Sequence, residues 1–255
     1  MTVSTPVIPA QLPVRPDHVT PFETGWPVRL ADTNRDRRLR LDATARYLQD
    51  MAFENLAIAP EADTHRAWVV RRTVFDVIAP IEFGESVQMK RWCSALSSRW
   101  TNMRIQVRGS AGGVIETESF IIHFSEETGL PARMTDTFME PLLKMTNEHR
   151  LRWKAALPAT HSAADRVREF PIRVADVDWL GHVNNTVHLQ ALEEVLADHE
   201  DLVHGSYRAI IEYAKPLMLG EPVELHEVRT GDQLDVWMVV DGQTRASGRV
   251  TPLGA

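Results

Sequence analysis

The amino-acid sequence predicts an α+β protein made of two similar lobes in tandem, each an antiparallel sheet wrapped around one long helix. Three observations carry this: an octapeptide written twice, a long amphipathic segment after each copy, and a series of alternating segments after each helix. Residues 27 to 34 read PVRLADTN and residues 171 to 178 read PIRVADVD, a shift of 144 that sets Pro27 over Pro171, Arg29 over Arg173, Ala31 over Ala175 and Asp32 over Asp176. A second match, DVIAPIEFGESV at 76–87 over EYAKPLMLGEPV at 212–223, falls in the same order at a shift of 136, with Pro80 over Pro216 and Gly84 over Gly220. The difference, 144 less 136, is an eight-residue deletion between the two landmarks of one repeated unit.

Taken in order, residues 1–20 are rich in proline and predict an arm with little core of its own. The first octapeptide reads as a strand. Leu41, Ala45, Leu48, Ala52 and Leu56 then recur at spacings of three and four, the period of one helix face. Alternating, β-branched strands follow over 67–79, 86–97, 100–109 and 114–124, broken by the turn signals FGES and SAGG. Residues 141–168 read as a polar, partly helical linker. In the second copy the helix carries Val187, Ala191 and Val195, its apolar face widened by Leu189, Leu192 and Leu196. Strands are predicted at 206–215, 222–230, 233–241 and 244–251, with LGEP and DG between them. A helix with a broad apolar face, followed by a meander with one apolar face per strand, is best buried by wrapping the sheet around the helix. The expected organisation is an arm (1–20), a first lobe (21–140), a linker (141–168) and a second lobe (169–255).

Bulk properties narrow the function. With 255 residues, 44% hydrophobic and 25% charged, the chain reads as a soluble globular protein. No apolar run approaches the roughly 18–20 residues of a membrane span, and no secretory pattern opens the sequence, so a cytoplasmic location is expected. Cys93 is the single cysteine, which excludes an internal disulfide framework and a multi-cysteine zinc site. A net charge of -7 argues against nucleic-acid binding. The local clusters Arg35, Arg37, Arg38, Arg40 and Arg71, Arg72 read either as solvated faces or as a landing site for a small acidic partner. No metal cluster, phosphate loop or dinucleotide fingerprint stands in the sequence, so no cofactor is expected.

The copies part company between the octapeptide and the helix, where the first reads TNRDRRLRLDAT and the second VDWLGHVNNTVH. The second gathers Asp178, Gly181, His182, Asn184 and Asn185. Asn184 or Asn185 suits the N-cap of the helix that follows, and Gly181 suits a turn with positive φ or a close approach of ligand. Free N–H groups at that helix start can hold a carbonyl oxygen as it gains negative charge. Asp178 and His182, four apart across the turn, are candidates to bring a base and a proton carrier to one carbonyl. The first copy has Asn34 and Arg38 in their places.

The string DVDWLGHVNN before a long helix resembles the DxDxxxHVNN signature of acyl-acyl-carrier-protein thioesterases, which are tandem (double) hotdog proteins. YLQDMAFENL, WVVRRTVFDV, VQMKRWCSAL and RWTNMRIQV resemble that family's N-terminal hotdog, so the likeness spans about residues 25–250. It implies hydrolysis of thioesters of acyl carrier protein, with the acyl chain in the first lobe and the chemistry in the second. The pattern departs at three positions: Leu180 stands where plant-type members have an asparagine, and Pro216 and Leu217 fall where they have a glutamate and a cysteine. Cys93 matches none of these and reads as a small buried hydrophobe. With no thiol nucleophile, the expected route is water oriented or deprotonated by Asp178 rather than direct attack by its carboxylate. N–H groups near Val183, Asn184 and Asn185 would hold the thioester oxygen, and His182 would position water or protonate the leaving thiolate. Asp32 and Asp176 read as structural residues at strand ends, and His188 as solvent-facing.

Tyr47, Met51, Phe53, Trp68, Trp92 and Trp100 are candidates both for the acyl tunnel and for plain core, and Glu54 and Asn55 for the helix end. Acyl-CoA hydrolysis, binding of acyl chains or carrier without chemistry, and hydration of enoyl thioesters stand as alternatives. A tandem chain already supplies the lobe pairing that single hotdogs obtain by dimerising; a further homodimer stays open.

Overall fold

The strands on the sequence's alternating segments join into a single sheet. The computed structural model describes residues 8–160 and 163–254. The first half contributes β1 (Phe22–Pro27), α1 (Leu41–Ala57), β2 (Trp68–Ala79), β3 (Ser86–Leu96), β4 (Trp100–Gly109), β5 (Val114–His123) and a short α2 (Asp136–Leu143). The second contributes β6 (Arg166–Phe170), α3 (Asn185–Leu196), β7 (Tyr207–Tyr213), β8 (Val223–Thr230), β9 (Gln233–Val240) and β10 (Gln243–Pro252). The 10 strands run in the order β1-β3-β4-β5-β2-β7-β10-β9-β8-β6, and every pairing is antiparallel. Each half repeats the other's order, as the two sequence matches require.

The expected pair of separate sheets is corrected at the seam. β2 and β7 would each be an open edge of its own half, and an open edge offers unpaired backbone groups. They pair with each other from Arg72↔Glu212 to Val77↔Tyr207, closing both edges at once. One face of this sheet carries the core. Phe75, Met89, Val107 and Ile115 from the first half meet Ile211, Val236, Met238 and Val250 from the second, under Leu48 and Met51 of α1 and Leu189, Leu192 and Val195 of α3. α3 passes so close over β10 that a Cβ on Gly248 would lie 3.3 Å from Leu192 Cδ1. The opposite face is ionic at the seam. Arg72 pairs with Glu212 at 2.8 Å, and Arg208 grips Asp76 through two bonds of 2.6 and 2.7 Å.

That ionic face is roofed, which corrects the sequence reading of the arm and the linker. Pro9 and Ala10 carbonyls accept from Arg208 at 2.7 and 3.0 Å, and Pro13 accepts from Arg104 at 2.9 Å. In the linker, the Lys154 carbonyl accepts from Arg72 at 3.0 Å, while Glu212 accepts N–H bonds from Ala156 and Leu157. Leu12 and Leu157 are buried against Val74 and Ile210, so the arm has core contacts after all. The linker is helical only at its start, where α2 runs to Leu143; from there to β6 its described residues form no helix or strand. Buried guanidinium groups need acceptors for every N–H, and the carbonyls of an extended strap supply them.

The octapeptide is also not the strand expected of it. It closes or follows a strand and then forms a single 3-10 turn, Leu30–Asp32 and Val174–Asp176. Asp32 and Asp176 are buried and take the Arg29 and Arg173 N–H groups at 2.8 Å each. Their own carbonyls accept from Arg40 and Asn184, the residues just before each long helix. The repeat is therefore a helix-launching turn, used twice.

Candidate active site

After Asp176 the chain makes a tight turn closed by the Val177↔Val183 bridge. Asp178 N–H donates to the His182 carbonyl and Gly181 N–H to the Asp178 carbonyl, both at 2.9 Å. One carboxylate oxygen of Asp178 accepts the Leu180 N–H at 3.0 Å, and the other faces the Asn184 side-chain amide at 3.4 Å. The first copy builds the same turn with Asn34, whose side-chain oxygen accepts from Asp36 and Arg38 at 3.0 and 2.9 Å. Gly181 has φ 80° and Arg37, in its place, φ 66°. The positive φ is the feature that glycine serves; a Cβ there would meet nothing within 4 Å, so no close approach requires it. The structure thus brings Asp178 and His182 together through the backbone. Asp178 is half-buried and His182 exposed, and no hydrogen bond joins their side chains among the described residues.

The helix start is more selective than the sequence suggested. Val183 N–H is taken by the Leu217 carbonyl and Asn184 N–H by the Asp176 carbonyl, each at 2.9 Å, so neither is free to hold an oxyanion. Asn184 is the N-cap. Its side-chain oxygen accepts from Thr186 N–H at 3.0 Å and from Gln49 of α1 at 3.2 Å. Asn185 N–H, at the first helical position, has no acceptor among the described residues, and it points out with the positive end of the helix dipole.

The matching terminus of α1 is closed. Leu39 and Arg40 N–H groups go to Ile81 and Asp32 carbonyls at 2.8 and 3.0 Å, and Leu41 N–H is capped by a carboxyl oxygen of Glu193 of α3 at 2.6 Å. Arg40 and Arg46 lock Asp42 beside it. Gln49 and Glu193 hold matching places on helices that lie side by side in opposite senses. Burial, then the charge of Asp42, push Glu193 up to about 8. Burial also acts to raise Asp42, but the bond and charge of Arg40, with that of Arg46, outweigh it and hold Asp42 below the usual carboxylate range. Because the folded protein keeps a proton on Glu193 that the unfolded chain loses near 4.5, this group's contribution to stability fades as pH rises from about 4.5 to about 8. Glu193→Gln keeps an acceptor for Leu41 N–H. Chemical denaturation at pH 5 and pH 8.5 is expected to show the variant gaining on the wild type by on the order of 1 kcal/mol at the higher pH; an equal difference at both pH values would contradict it.

Several expectations need correction. His188 is 2% exposed, not solvent-facing. It packs edge-on against Tyr213 of β7, centroids 5.1 Å apart, and the Tyr213 hydroxyl donates to the Asn185 carbonyl at 3.3 Å. Of the tunnel candidates only Tyr47 and Met51 join the helix-side core. Tyr47 stacks on Trp26 and donates to Asp32. Phe53 is 60% exposed, Trp68 packs on Phe138 of α2, and Trp92 and Trp100 lie on the roofed face, against Arg104 and Phe120. Glu54 is exposed, and Asn55 accepts from Arg91. Cys93 is fully buried, and burial pushes its thiol up to about 12, so it is an inert core residue as expected. The arginine clusters are mostly committed internally: Arg35 to Glu200, Arg38 to the Val203 carbonyl, Arg40 to Asp42 and Arg72 to Glu212, with Arg71 over the Trp153 ring. Gln49 and Glu193 were missed; the 144 shift that pairs them was the available signal. Two surface hollows, one among the arm, Pro60 and α2 and one around Trp100 and Arg150, lie apart from the turn. No helix among the described residues is long and apolar enough to cross a membrane.

Comparison with known proteins fits this architecture. The family described as Acyl-ACP thioesterase N-terminal domain matches residues 20–142, and that described as Acyl-ACP thioesterase C-terminal domain matches residues 159–250. The uncharacterized protein Rv2001 of Mycobacterium tuberculosis (strain ATCC 25618 / H37Rv) is 39% identical over 233 residues, 91% of this chain and 92% of that one. Among solved structures, a putative oleoyl thioesterase from Lactobacillus plantarum aligns at TM-score 0.75 with 16% identity, over 94% of this chain and 99% of its own. The 12:0-ACP thioesterase from Umbellularia californica aligns at TM-score 0.69 with 18% identity, over 90% and 96%. At such identities these two speak for the fold alone.

Proposed function

We propose, on the premise that this chain belongs to the acyl-ACP thioesterase family, that it hydrolyses thioesters of acyl carrier protein to the free fatty acid and the carrier thiol. Thioester hydrolysis is the family's chemistry; the carrier and the residue roles are this reading's own. In it the two lobes form a double hotdog, and the reaction takes place at the start of α3. The observation that carries the reading is the contrast between the helix starts: the first N–H of α1 is capped by Glu193, while that of α3, on Asn185, is left unclaimed among the described residues, next to the Asn184 cap that faces Asp178.

A thioester carbonyl whose oxygen accepts the Asn185 N–H gains stabilisation as it becomes tetrahedral. Asp178, fixed by Leu180 N–H and Asn184, deprotonates a water that attacks the carbonyl carbon. His182, exposed at the turn, hands a proton to the departing sulfur. Gly181 shapes the turn and Asn184 anchors it, so both support binding without touching the reacting atoms. Val183 contributes through its place in the turn, since its N–H is engaged.

The test is thiol release from one acyl chain presented on acyl carrier protein and on coenzyme A. Turnover of the carrier-protein substrate is expected to exceed that of the CoA thioester by at least about tenfold in kcat/KM, a difference of about 1.4 kcal/mol in transition-state binding. Equal rates would assign the chemistry to acyl thioesters in general; background release from both would leave a binding protein.

A further inference from the structure

We propose that His188 positions the attacking water, an assignment that rests on the thioesterase reading and deepens it. His188 lies one turn into α3, three residues after Asn185, and is 2% exposed. Neither ring nitrogen makes a hydrogen bond of acceptable geometry among the described residues. The backbone of Asn184 and Asn185 acts on the ring to raise its pKa, while burial, the larger effect, carries it down to about 4. A carbonyl can only accept, so the nitrogen turned towards one must be the protonated nitrogen. The other then bears a lone pair, in the interior, with no donor among the described residues. Buried acceptors of this kind are rare unless something completes them.

The matching position in the first copy shows what a merely structural residue does there. Thr44 is fully buried and turns its hydroxyl back onto the Arg40 carbonyl at 2.8 Å, leaving nothing unsatisfied. In the second copy that solution is replaced by a ring held edge-on by Tyr213, whose hydroxyl is itself spent on the Asn185 carbonyl. The ring is neutral throughout the working pH range, so its lone pair is a permanent acceptor. A water that gives one hydrogen to it and the other to Asp178 has its oxygen lone pair turned towards a carbonyl held on Asn185 N–H. In the step, the water oxygen bonds to the carbonyl carbon and its proton passes to Asp178. The C–S bond then breaks, and the sulfur takes a proton from His182, which regains one from Asp178 through solvent. The hydrogen on His188 stays with the water oxygen and leaves with the fatty acid. His188 itself gains and loses no proton.

His188→Thr, which installs the first copy's residue, and His188→Ala are the test variants. With wild-type turnover established first, both are expected to lose about 10- to 100-fold in kcat at little-changed KM, the scale of a misplaced nucleophile, with His188→Thr melting close to the wild type. Added imidazole is expected to restore part of the rate to His188→Ala, while pyrrole, a ring of the same size without a basic lone pair, is not. Full activity in His188→Thr, a rise in KM alone, no rescue by imidazole, or equal rescue by pyrrole would each overturn the assignment and leave the thioesterase reading standing. A wild-type chain that releases no thiol would overturn both.

Discussion

Asp178→Asn is expected to fold as the wild type does and to release thiol about 10²–10⁴ times more slowly. The expectation of normal folding comes from inside the same chain. Asn34 occupies the matching position and holds the same turn with its side-chain oxygen, accepting N–H bonds at 2.9 and 3.0 Å. An amide can therefore keep the Leu180 N–H that Asp178 now accepts. What it cannot do is take a proton from water. Steady-state kinetics on an acyl carrier protein substrate, with a melting curve beside them, separate the two roles. Activity within about threefold of the wild type would remove Asp178 from the chemistry and reduce it to the turn residue that Asn34 is.

Arg208→Met is expected to be the most damaging single change to stability away from that turn. Arg208 stands opposite Asp76 across the β2–β7 seam and binds it through two bonds of 2.6 and 2.7 Å, with both side chains buried. Its remaining donors hold the arm through the Pro9 and Ala10 carbonyls. Methionine fills much of the space but leaves the Asp76 carboxylate inside the protein with no cation. Breaking a buried pair from one side costs about 3–5 kcal/mol, which for a chain of this size lowers the melting temperature by roughly 6–20 °C. The double change Asp76→Leu with Arg208→Met removes both charges and is expected to recover much of the loss. A single variant that melts within about 2 °C of the wild type would show that the pair is stabilised by water rather than by its partner.

The elements of this fold were readable because each follows from local pattern. Leu41 to Leu56 keeps helical period and became Leu41–Ala57, and the four strands of each half fall within a few residues of their alternating segments. Which strand meets which is set by pairs distant in sequence, so the single sheet was not anticipated. Yet the seam left a trace. The shift of 136 sets Arg72 over Arg208 and Asp76 over Glu212, and antiparallel pairing of two copies with a cation and an acid four residues apart places each cation against the other copy's acid. The ionic face looked like a solvent face because alternation shows only that a residue is polar, and a strap from elsewhere in the chain decides whether water reaches it. At the candidate site, Asp178, Gly181 and the Asn184 cap were legible as turn and cap chemistry. The fate of individual N–H groups was not, because Leu217, Asp176 and Glu193 reach them from other elements. The burial of His188 is illegible for a similar reason: a helix apolar on a wide face also buries a position whose residue is polar.

Joining the two copies in one chain changes what evolution can alter one side at a time. In a symmetric pair of separate identical chains, a substitution that seals one helix start seals the other as well. Here Glu193 stoppers α1 alone, while its counterpart facing α3, Gln49, bonds the Asn184 side chain and leaves the first helical N–H unclaimed. One opening can be sealed to hold the molecule together while its twin stays unsealed, and the seam between β2 and β7 keeps the two unlike halves from parting.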